Sequence, residues 1–336
     1  MIATATAFAA ALILGVVARR LGVLFGATDD PDGTALKPHP HPTSWLGGGA
    51  VVGGIAIGLV VEGWPLSSPA AIAIDGAFML GLADDALDVP PLPRLVAQLG
   101  VDLVVAGGGL AVDALPTAVV AWIAAAVLYA AALNAVNMVD GMDGLAGIAA
   151  VITALGLALI AARAGHDGSM AVALVTAGAV AGFLVHNLPP ARLYLGDNGA
   201  YAVAASLAVV VLSQSRTVAG LVGAVTCLGL FLLDLLLAVL RRIVGRRRVT
   251  AGDRGHLYDQ LQGWGLAPHP TLAVCGIVHL AFVAVGVRAA GTKTSVALAT
   301  VVAAWVVATV WLVRSGLVSG GGEGPGAARG NRGAKA

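Results

Sequence analysis

Four short segments of this chain combine carboxylates, amides and a histidine in patterns that could do chemistry. The richest is NAVNMVDGMDGL, which places Asn134, Asn137, Asp140 and Asp143 within ten residues. On a continuing helix the two asparagines lie one turn apart, and the glycine after each aspartate lets its carboxylate turn toward a ligand. Amide and carboxylate oxygens are hard ligands that suit magnesium, and such groups also bind sugars and nucleobases. A single helix cap would not explain four polar residues, so the segment predicts a binding site.

The segment LADDALDVPPLPRL carries the second group of acids, Asp84, Asp85 and Asp88, just before Pro90. These acids lie at the C-terminal end of a predicted helix, where the helix dipole disfavours anions. One interpretation is a solvated helix end with Arg94 nearby. The other is a cation site or a general base, because adjacent carboxylates can take different pKa values. Acids at the edge of an apolar segment favour the functional interpretation.

Two further segments, HNLPPARLYLGDNGA and AGDRGHLYDQL, hold single polar residues of interest. Asp197 precedes an apolar run, so it is equally suited to capping a helix and to binding a ligand. Asp253 resembles the cap of a short helix that presents His256. A lone histidine is more often structural than catalytic, so neither residue identifies a site by itself.

The elements that carry these segments are membrane helices. The chain is 58% hydrophobic and 11% charged over 336 residues, and its mean hydropathy is +0.91. This composition excludes an ordinary soluble domain and predicts an all-α, polytopic integral membrane bundle, since strand-like alternation is absent. Spans of about 20 apolar residues divide residues 1–313 into about eleven helices, near 1–18, 47–62, 68–84, 95–112, 117–136, 145–163, 170–187, 199–213, 219–240, 270–287 and 294–313.

Basic residues give the orientation of these spans. Of the 19 lysines and arginines, only Arg163, Arg216, Arg288 and Lys293 fall in one set of alternate loops, and the remainder fall in the other set and the tail. The inside-positive tendency therefore predicts an outside N-terminus and a cytoplasmic C-terminus. The predicted cytoplasmic loops are about 19–46, 85–94, 137–144, 188–198 and 241–269. Residues 314–336 form a Gly-rich basic tail that we expect to be disordered.

This topology brings all four polar segments to the cytoplasmic face, although it rests on basic residues alone. The convergence predicts a single site at that face. A secondary transporter is the competing class, but transporter sites belong near the midplane in broken helices related by internal repeats. No convincing repeat is present in the sequence.

The same segments resemble those of the polyprenyl-phosphate N-acetylhexosamine-1-phosphate transferases, which include the phospho-MurNAc-pentapeptide transferase and its UDP-GlcNAc-using relatives. LADD with Arg94 and Gln98 is similar to the family's DD motif with its basic residue and glutamine. NAVNMVDGMDGL resembles NxxNxxDGxDGL, and HNLPPARLYLGDNGA resembles FNxxPAxxFxGDxGS. Asp234 ahead of Arg241 and Arg242 resembles the family's D…RR helix. The resemblance extends from residue 36 to the His256 loop, and the family's eleven-span, N-outside topology agrees with the predicted one.

The resemblance implies an enzyme that transfers a sugar 1-phosphate from a UDP-sugar to a polyprenyl phosphate at the cytoplasmic face of the cell membrane, releasing UMP. It implies magnesium, with manganese as an alternative, held by Asp197 and Asn137, whereas Asp84 and Asp85 handle the acceptor. Donor contacts would come from Asn134, Asp140, Asp143, Arg254 and His256. Direct attack and a covalent aspartyl intermediate both fit. The expected partners are the two substrates and membrane lipid, with a homodimer allowed and no nucleic acid.

The chain departs from the family pattern at several positions. Where the family has HxHH, only the first histidine is kept, because Leu257, Tyr258 and Asp259 follow His256. Ser44 and Trp45 stand before the Gly pair where an arginine is common. These changes leave the identity of the donor sugar open, and they leave a non-catalytic member of the family as an alternative.

Overall fold

The structure is a computed structural model that describes residues 1–29, 42–64, 68–107, 112–246, 255–314 and 316. Its described residues form thirteen helices and one small ribbon. The helices are α1 (Ile2–Phe25), α2 (Gly47–Val61), α3 (Pro69–Leu87), α4 (Pro91–Gly107), α5 (Ala118–Val139), α6 (Leu145–Ala164), α7 (Asp167–Asn187), α8 (Gly196–Ser213), α9 (Val218–Thr226), α10 (Gly229–Val244), α11 (Leu257–Gly263), α12 (Pro268–Ala290) and α13 (Thr294–Arg314). The all-α prediction is therefore confirmed for these residues.

Helix α8 is the centre of the bundle. It packs against α3, α5, α2 and α7, and every residue from Asn198 to Leu212 is buried. A helix that is apolar on all sides must be surrounded by other helices rather than by lipid on one side. Its N-terminus, which carries Asp197, is consequently enclosed by the ends of its neighbours.

Small residues allow the helices around α8 to approach closely. The buried stripe of α1 consists of alanines and glycines at helical spacing. A Cβ added at Gly178 or Gly182 of α7 would collide with the carbonyl oxygen of Thr4 or of Phe8. Backbone contact of this kind is how membrane helices gain packing energy without a hydrophobic drive between them.

Helices occupy the predicted spans, but not every one of these helices is long and apolar enough to be counted as a membrane crossing. Among the described residues, seven helices are long and apolar enough to cross a membrane, or eight if a bent pair is one span. The shorter α2, the acid-bearing α3 and α4 occupy three further predicted spans. The chain is a multi-pass membrane protein, whereas eleven crossings and the positions of the termini stay predictions.

One predicted span is wrong as a continuous helix. Residues 219–240 form α9 and α10, which are bent by 76° at a break. Thr153 donates its hydroxyl to the carbonyl of Cys227 (3.0 Å), and the N–H of Leu230 donates to Nδ1 of His279 (3.3 Å). These two side chains satisfy backbone groups that the break would leave unpaired inside the bundle.

A two-stranded ribbon stands between α1 and α2. Strands β1 (Thr28–Asp29) and β2 (Thr43–Ser44) are antiparallel, with Thr28 opposite Ser44 and Asp29 opposite Thr43. The N–H of Tyr194 donates to the carbonyl of Ser44 (2.8 Å). The ribbon therefore fixes the segment that leads into α8.

Candidate active site

The C-terminal end of α3 and the N-terminal end of α8 meet at one end of the bundle. Glycines make the meeting close: a Cβ at Gly81 would collide with the carbonyl oxygen of Asp197, and one at Gly48 would collide with Oδ1 of Asn198. The polar ends of α5 and α7 reach the same place. We call this end of the bundle, which carries Asp84, Asp140 and Asp197, the site end.

Asp85 caps helix α8 from another helix. Its Oδ1 accepts the N–H of Asp197 (3.0 Å), and its Oδ2 accepts the N–H (2.9 Å) and the side-chain amide (2.5 Å) of Asn198. The residue before α8, Leu195, offers no side-chain cap. A carboxylate at a helix N-terminus satisfies free N–H groups and complements the positive end of the dipole. The capping role that the sequence allowed for Asp197 therefore falls to Asp85.

The carboxylate of Asp84 is also fully engaged. It accepts the N–H of Val89 (3.1 Å), a charged hydrogen bond from Arg94 (2.7 Å) and the hydroxyl of Tyr201 (3.1 Å). Asp84 and Tyr201 are buried, so these bonds are made away from bulk water. The arginine supplies the cation that acids at a helix C-terminus require.

The carboxylate of Asp197 is more exposed than that of Asp84. Its side chain keeps 30% of its exposure, and its Oδ2 lies 4.0 Å from Nη1 of Arg94, too far for a hydrogen bond. Asn137 and Asp84 contact the same carboxyl, and the charge of Asp85 lies nearby. Three predicted site residues thus surround Asp197, which keeps lone pairs available for a ligand.

Asn134 lies away from this group. Its amide donates to Oε1 of Gln98 (2.8 Å) and to the carbonyl of Ala130 (2.8 Å), so it joins α5 to α4. It lies one helical turn deeper in the bundle than Asn137. The structure therefore places Asn134 in a helix contact, whereas the sequence reasoning assigned it to the donor.

The turn after α5 is fastened to the loop before α8. Oδ2 of Asp143 accepts the N–H of Ala191 (2.9 Å), while the buried Asn187 accepts the N–H of Gly144 (3.0 Å) and donates to the carbonyl of Leu193 (3.0 Å). Sequence reasoning missed Asn187, although the HNLPP segment contained it. Its signal was an amide at the last position of an apolar helix, where a buried turn needs both a donor and an acceptor.

A cavity of about 1150 Å³ opens at the site end between the ribbon, the two fastened loops and the start of α12. Its lining includes Asp85, Asp140, Asp143 and Tyr194. Burial and the negative charge of Asp143 raise the pKa of Tyr194 to about 12. The tyrosine is therefore a neutral hydroxyl at physiological pH, with its aromatic ring in the cavity lining.

Asp140 lies just beyond the end of α5 and lines the cavity. Burial raises the pKa of this carboxyl well above its usual range, and the charges of Asp197, Asp85 and Asp143 act in the same direction. At pH values where Asp140 is ionised in the unfolded chain, the folded protein either keeps this carboxyl protonated or bears a poorly solvated charge there. The contribution of Asp140 to the free energy of unfolding consequently falls as pH rises above about 4, up to the folded pKa of this carboxyl.

We expect Asp140→Asn to stabilise the metal-free, donor-free protein at neutral pH, because it removes this carboxyl. Thermal unfolding in detergent between pH 4 and pH 8 measures the effect. The gain should shrink toward pH 4, where both states of the wild type are protonated. Glu62→Gln, at an exposed position beyond α2, is the control for the removal of an acidic side chain. A variant less stable than the wild type at pH 7 would contradict the assignment.

The two residues predicted on the loop before α11 have different outcomes. His256 is buried, its Nδ1 lies 2.5 Å from Oδ2 of Asp234, and Oδ1 of Asp234 accepts the N–H of Leu257 (3.0 Å). Among the described residues in this part of the chain, Gln262 and His269 line the cavity and His256 does not. His256 begins the predicted short helix, so the structure gives it an anchoring position. Arg254, like Asp253, lies outside the described residues.

Comparisons with known proteins identify the family of this chain. The model of glycosyl transferase family 4 matches residues 69–215, which include Asp84, Asp85, the α5 motif and Asp197. The chain is 30% identical to a phospho-N-acetylmuramoyl-pentapeptide-transferase of Moorella thermoacetica, over 69% of this chain and 81% of that protein.

Two further relatives have names of the same kind. A probable undecaprenyl-phosphate N-acetylglucosaminyl 1-phosphate transferase of Bacillus subtilis is 27% identical over 81% of this chain and 79% of its own length. A decaprenyl-phosphate N-acetylglucosaminephosphotransferase of Mycobacterium tuberculosis is 30% identical over 77% of this chain and 73% of its own. The chain therefore belongs to glycosyl transferase family 4, the family of polyprenyl-phosphate N-acetylhexosamine-1-phosphate transferases.

Proposed function

We propose that this protein transfers a sugar 1-phosphate from a UDP-sugar to a polyprenyl phosphate and releases UMP. One observation carries the proposal: Asp84, Asp85, Asp140 and Asp197 meet with Arg94 beside a large cavity at the end of a membrane bundle. The acceptor is anchored in lipid and the donor is soluble in water, so the reaction needs polar groups at a membrane boundary. The names of the relatives support the same reaction.

The carboxylates themselves imply a divalent cation. A donor diphosphate would be repelled by this cluster unless a metal compensated its charge. Among the described residues, no group of three or more His, Cys, Asp or Glu side chains could hold a metal ion. A single carboxylate beside an amide, as in Asp197 and Asn137, fits magnesium, because this ion commonly takes one or two carboxylates and completes its shell with substrate phosphates and water. Asp197 and Asn137 would hold it, and when bound it would neutralise charge that develops on the phosphates.

The other side chains have roles that follow from their contacts. Arg94 bonds Asp84 and lies close to Asp197, so its guanidinium is placed to bind the phosphate of the acceptor. In the transfer, an acceptor phosphate oxygen forms a bond to the β-phosphorus of the donor. The bond from that phosphorus to the bridging oxygen breaks, and UMP leaves with the oxygen. Direct attack and attack through an aspartyl intermediate give the same products.

The ring of Tyr194 and the carboxylates of Asp143 and Asp140 offer a place for the nucleotide. An aromatic face stacks on a base, and a neutral hydroxyl and carboxylates bind the hydrogen-bonding groups of uridine. Tyr194 is held by the ribbon through its backbone N–H. We assign this part of the cavity to uridine.

The site end faces the cytoplasm in this proposal, at the inner or plasma membrane. The basic residues of the sequence support that orientation, because most of them fall in the predicted cytoplasmic loops and the tail. A soluble nucleotide sugar would then reach the cavity directly.

A transporter is a weaker explanation of the same residues. In the described part of the chain, one helix pair is broken, α9 with α10, and the carboxylates that line the cavity lie outside it. Those carboxylates cluster at one end of the bundle, whereas transporter sites lie near the midplane.

The test is UMP release by the full chain in detergent, with a polyprenyl phosphate and a panel of UDP-sugars. We expect release that needs both substrates and stops when a chelator removes divalent cations. Magnesium should restore it. Folded protein that binds UDP-sugars yet releases no UMP with any donor and acceptor would support the non-catalytic alternative.

A further inference from the structure

Helix α4 carries Arg94, yet it lies at the edge of the bundle. Of its described side chains only that of Gln98 is buried, with 1% exposure, and most of the others are exposed. A helix with so little buried surface has little packing to fix its rotation about its own axis. The position of Arg94 therefore depends on the contacts that α4 makes with α3 and α5.

The buried amide of Gln98 joins α4 to α5. Its Oε1 accepts a hydrogen bond from Nδ2 of Asn134 (2.8 Å), which also donates to the carbonyl of Ala130 in its own helix (2.8 Å). Arg94 lies four residues before Gln98, so both side chains lie on one face of α4. The hydrogen bond between the two amides therefore fixes the helix face that presents Arg94 to Asp84.

The pair of amides is not arranged for the greatest stability. Nε2 of Gln98 is buried and has no hydrogen-bond partner among the described residues. A buried donor without a partner lowers stability, so an apolar side chain of the same size would stabilise this contact more. A polar pair within an apolar contact instead specifies one orientation of two helices, as a buried asparagine does in a coiled coil. A helix that presents a substrate-binding arginine needs this specificity.

We infer that Gln98 and Asn134 are positioning residues, whose hydrogen bond sets the rotation of α4 and so places Arg94 for the phosphate of the acceptor. This inference rests on the proposed function, in which Arg94 binds that phosphate. Without the bond, Arg94 keeps its charge but loses its fixed place beside Asp84 and Asp197. The acceptor then binds less tightly. The UDP-sugar binds as before, because the described cavity lining includes neither amide.

The experiment measures the affinity of the full chain in detergent for polyprenyl phosphate and, separately, for UDP-N-acetylglucosamine with magnesium, beside turnover. Gln98→Met and Asn134→Leu each keep a side chain of similar size and remove the hydrogen bond. We expect each variant to weaken polyprenyl phosphate binding about tenfold. The affinity for the UDP-sugar should not change.

The double variant tests whether the two amides act as one unit. It should lose no more affinity for polyprenyl phosphate than either single variant, because the same bond is removed in all three. Its melting temperature should not fall below that of the wild type, since the unpaired donor of Gln98 is removed as well. Losses that multiply in the double variant would show that Gln98 and Asn134 act separately, against the inference.

Two further variants separate positioning from a general effect on the fold. Arg94→Gln should weaken polyprenyl phosphate binding, and adding Gln98→Met to it should cause no further loss, because Gln98 acts through Arg94. Tyr129→Phe is the matched control, since it removes a buried hydrogen bond from α5 to the carbonyl of Ala73 on α3 (2.6 Å). It should lower the melting temperature and leave both affinities unchanged.

Three results would overturn the inference. The first is an unchanged affinity for polyprenyl phosphate in Gln98→Met, and the second is a further loss when Gln98→Met is added to Arg94→Gln. The third is an Asn134→Leu protein that binds the UDP-sugar more weakly, which would favour the donor contact predicted from the sequence. A wild type that binds polyprenyl phosphate with the expected dependence on both amides, yet releases no UMP, would contradict the proposed function alone.

Discussion

Asp197→Asn should reduce UMP release by about a hundredfold to a thousandfold while the protein stays folded. The carboxylate is partly exposed, has no strong hydrogen bond to Arg94, and lies close to the charges of Asp84 and Asp85. Such a group contributes little to the fold but can bind a cation. Its replacement removes a negative ligand from the reaction centre and relieves repulsion among the acids that remain.

The free energy of unfolding of this variant should stay within about 1 kcal/mol of the wild type, because a first-turn carboxylate contributes only that much to its helix. Asp167→Asn is the matched control, since Asp167 occupies the first turn of α7 at the other end of the bundle. It should retain full activity. If Asp197→Asn kept activity at saturating magnesium, Asp197 would not be a metal ligand, and the roles proposed for Asn137 would also fail.

Asp85→Asn should, unlike Asp197→Asn, lower the free energy of unfolding, and its loss of activity should follow from that structural change. The carboxylate accepts three hydrogen bonds from Asp197 and Asn198 at the start of α8. An asparagine offers one acceptor oxygen and turns its NH₂ group toward the remaining donors. Leaving a buried donor unpaired costs about 1–3 kcal/mol, so we expect a loss of unfolding free energy in that range.

The activity of Asp85→Asn should fall because the first turn of α8 carries Asp197. A shift of that turn would raise the magnesium concentration needed for half-maximal rate, whereas loss of a substrate contact would not. Asp88→Asn, three residues further and exposed, should change neither property. An inactive Asp85→Asn protein with wild-type stability and an unchanged magnesium requirement would show that Asp85 acts on the substrate directly.

The structure separates two roles that the sequence presents as alike. Asp84 and Asp85 are adjacent in a motif, yet one is bound by Arg94 and Tyr201 and the other caps a different helix. Adjacent residues of a helix point about 100° apart, so their partners belong to different neighbours. The sequence cannot name these neighbours, because helix packing decides which helix each side chain meets.

The sequence predicts the class of fold and the end of the bundle at which the site lies. Composition and span length require a helical membrane bundle, because lipid tolerates no unpaired backbone. Carboxylates at the ends of apolar segments cannot be placed in lipid, and alternate spans must end on the same side. For this reason the spacing of the spans predicts that Asp84, Asp140 and Asp197 come together, and the folded chain unites them.

Helix rotation and loop geometry decide what the sequence leaves open, and the donor roles of Asn134 and His256 stay predictions. Asn134 and Asn137 share a helical face by their spacing, but the contact with Gln98 on α4 removes Asn134 from the cavity. The sequence predicts a donor contact for His256, yet Asp234 of α10 holds this residue in the protein interior. The break between α9 and α10 is not visible in an uninterrupted apolar run, because its stabilising partners, Thr153 and His279, lie on α6 and α12.

Hydropathy and span length depend on local composition, and they are enough to predict a membrane helical bundle with acids and amides at one end. The packing of the helices assigns partial exposure to Asp197, the capping of a helix to Asp85, and a place in the cavity lining to Tyr194, Gln262 and His269. Those roles depend on contacts between residues far apart in the chain, and local spacing carries no record of them.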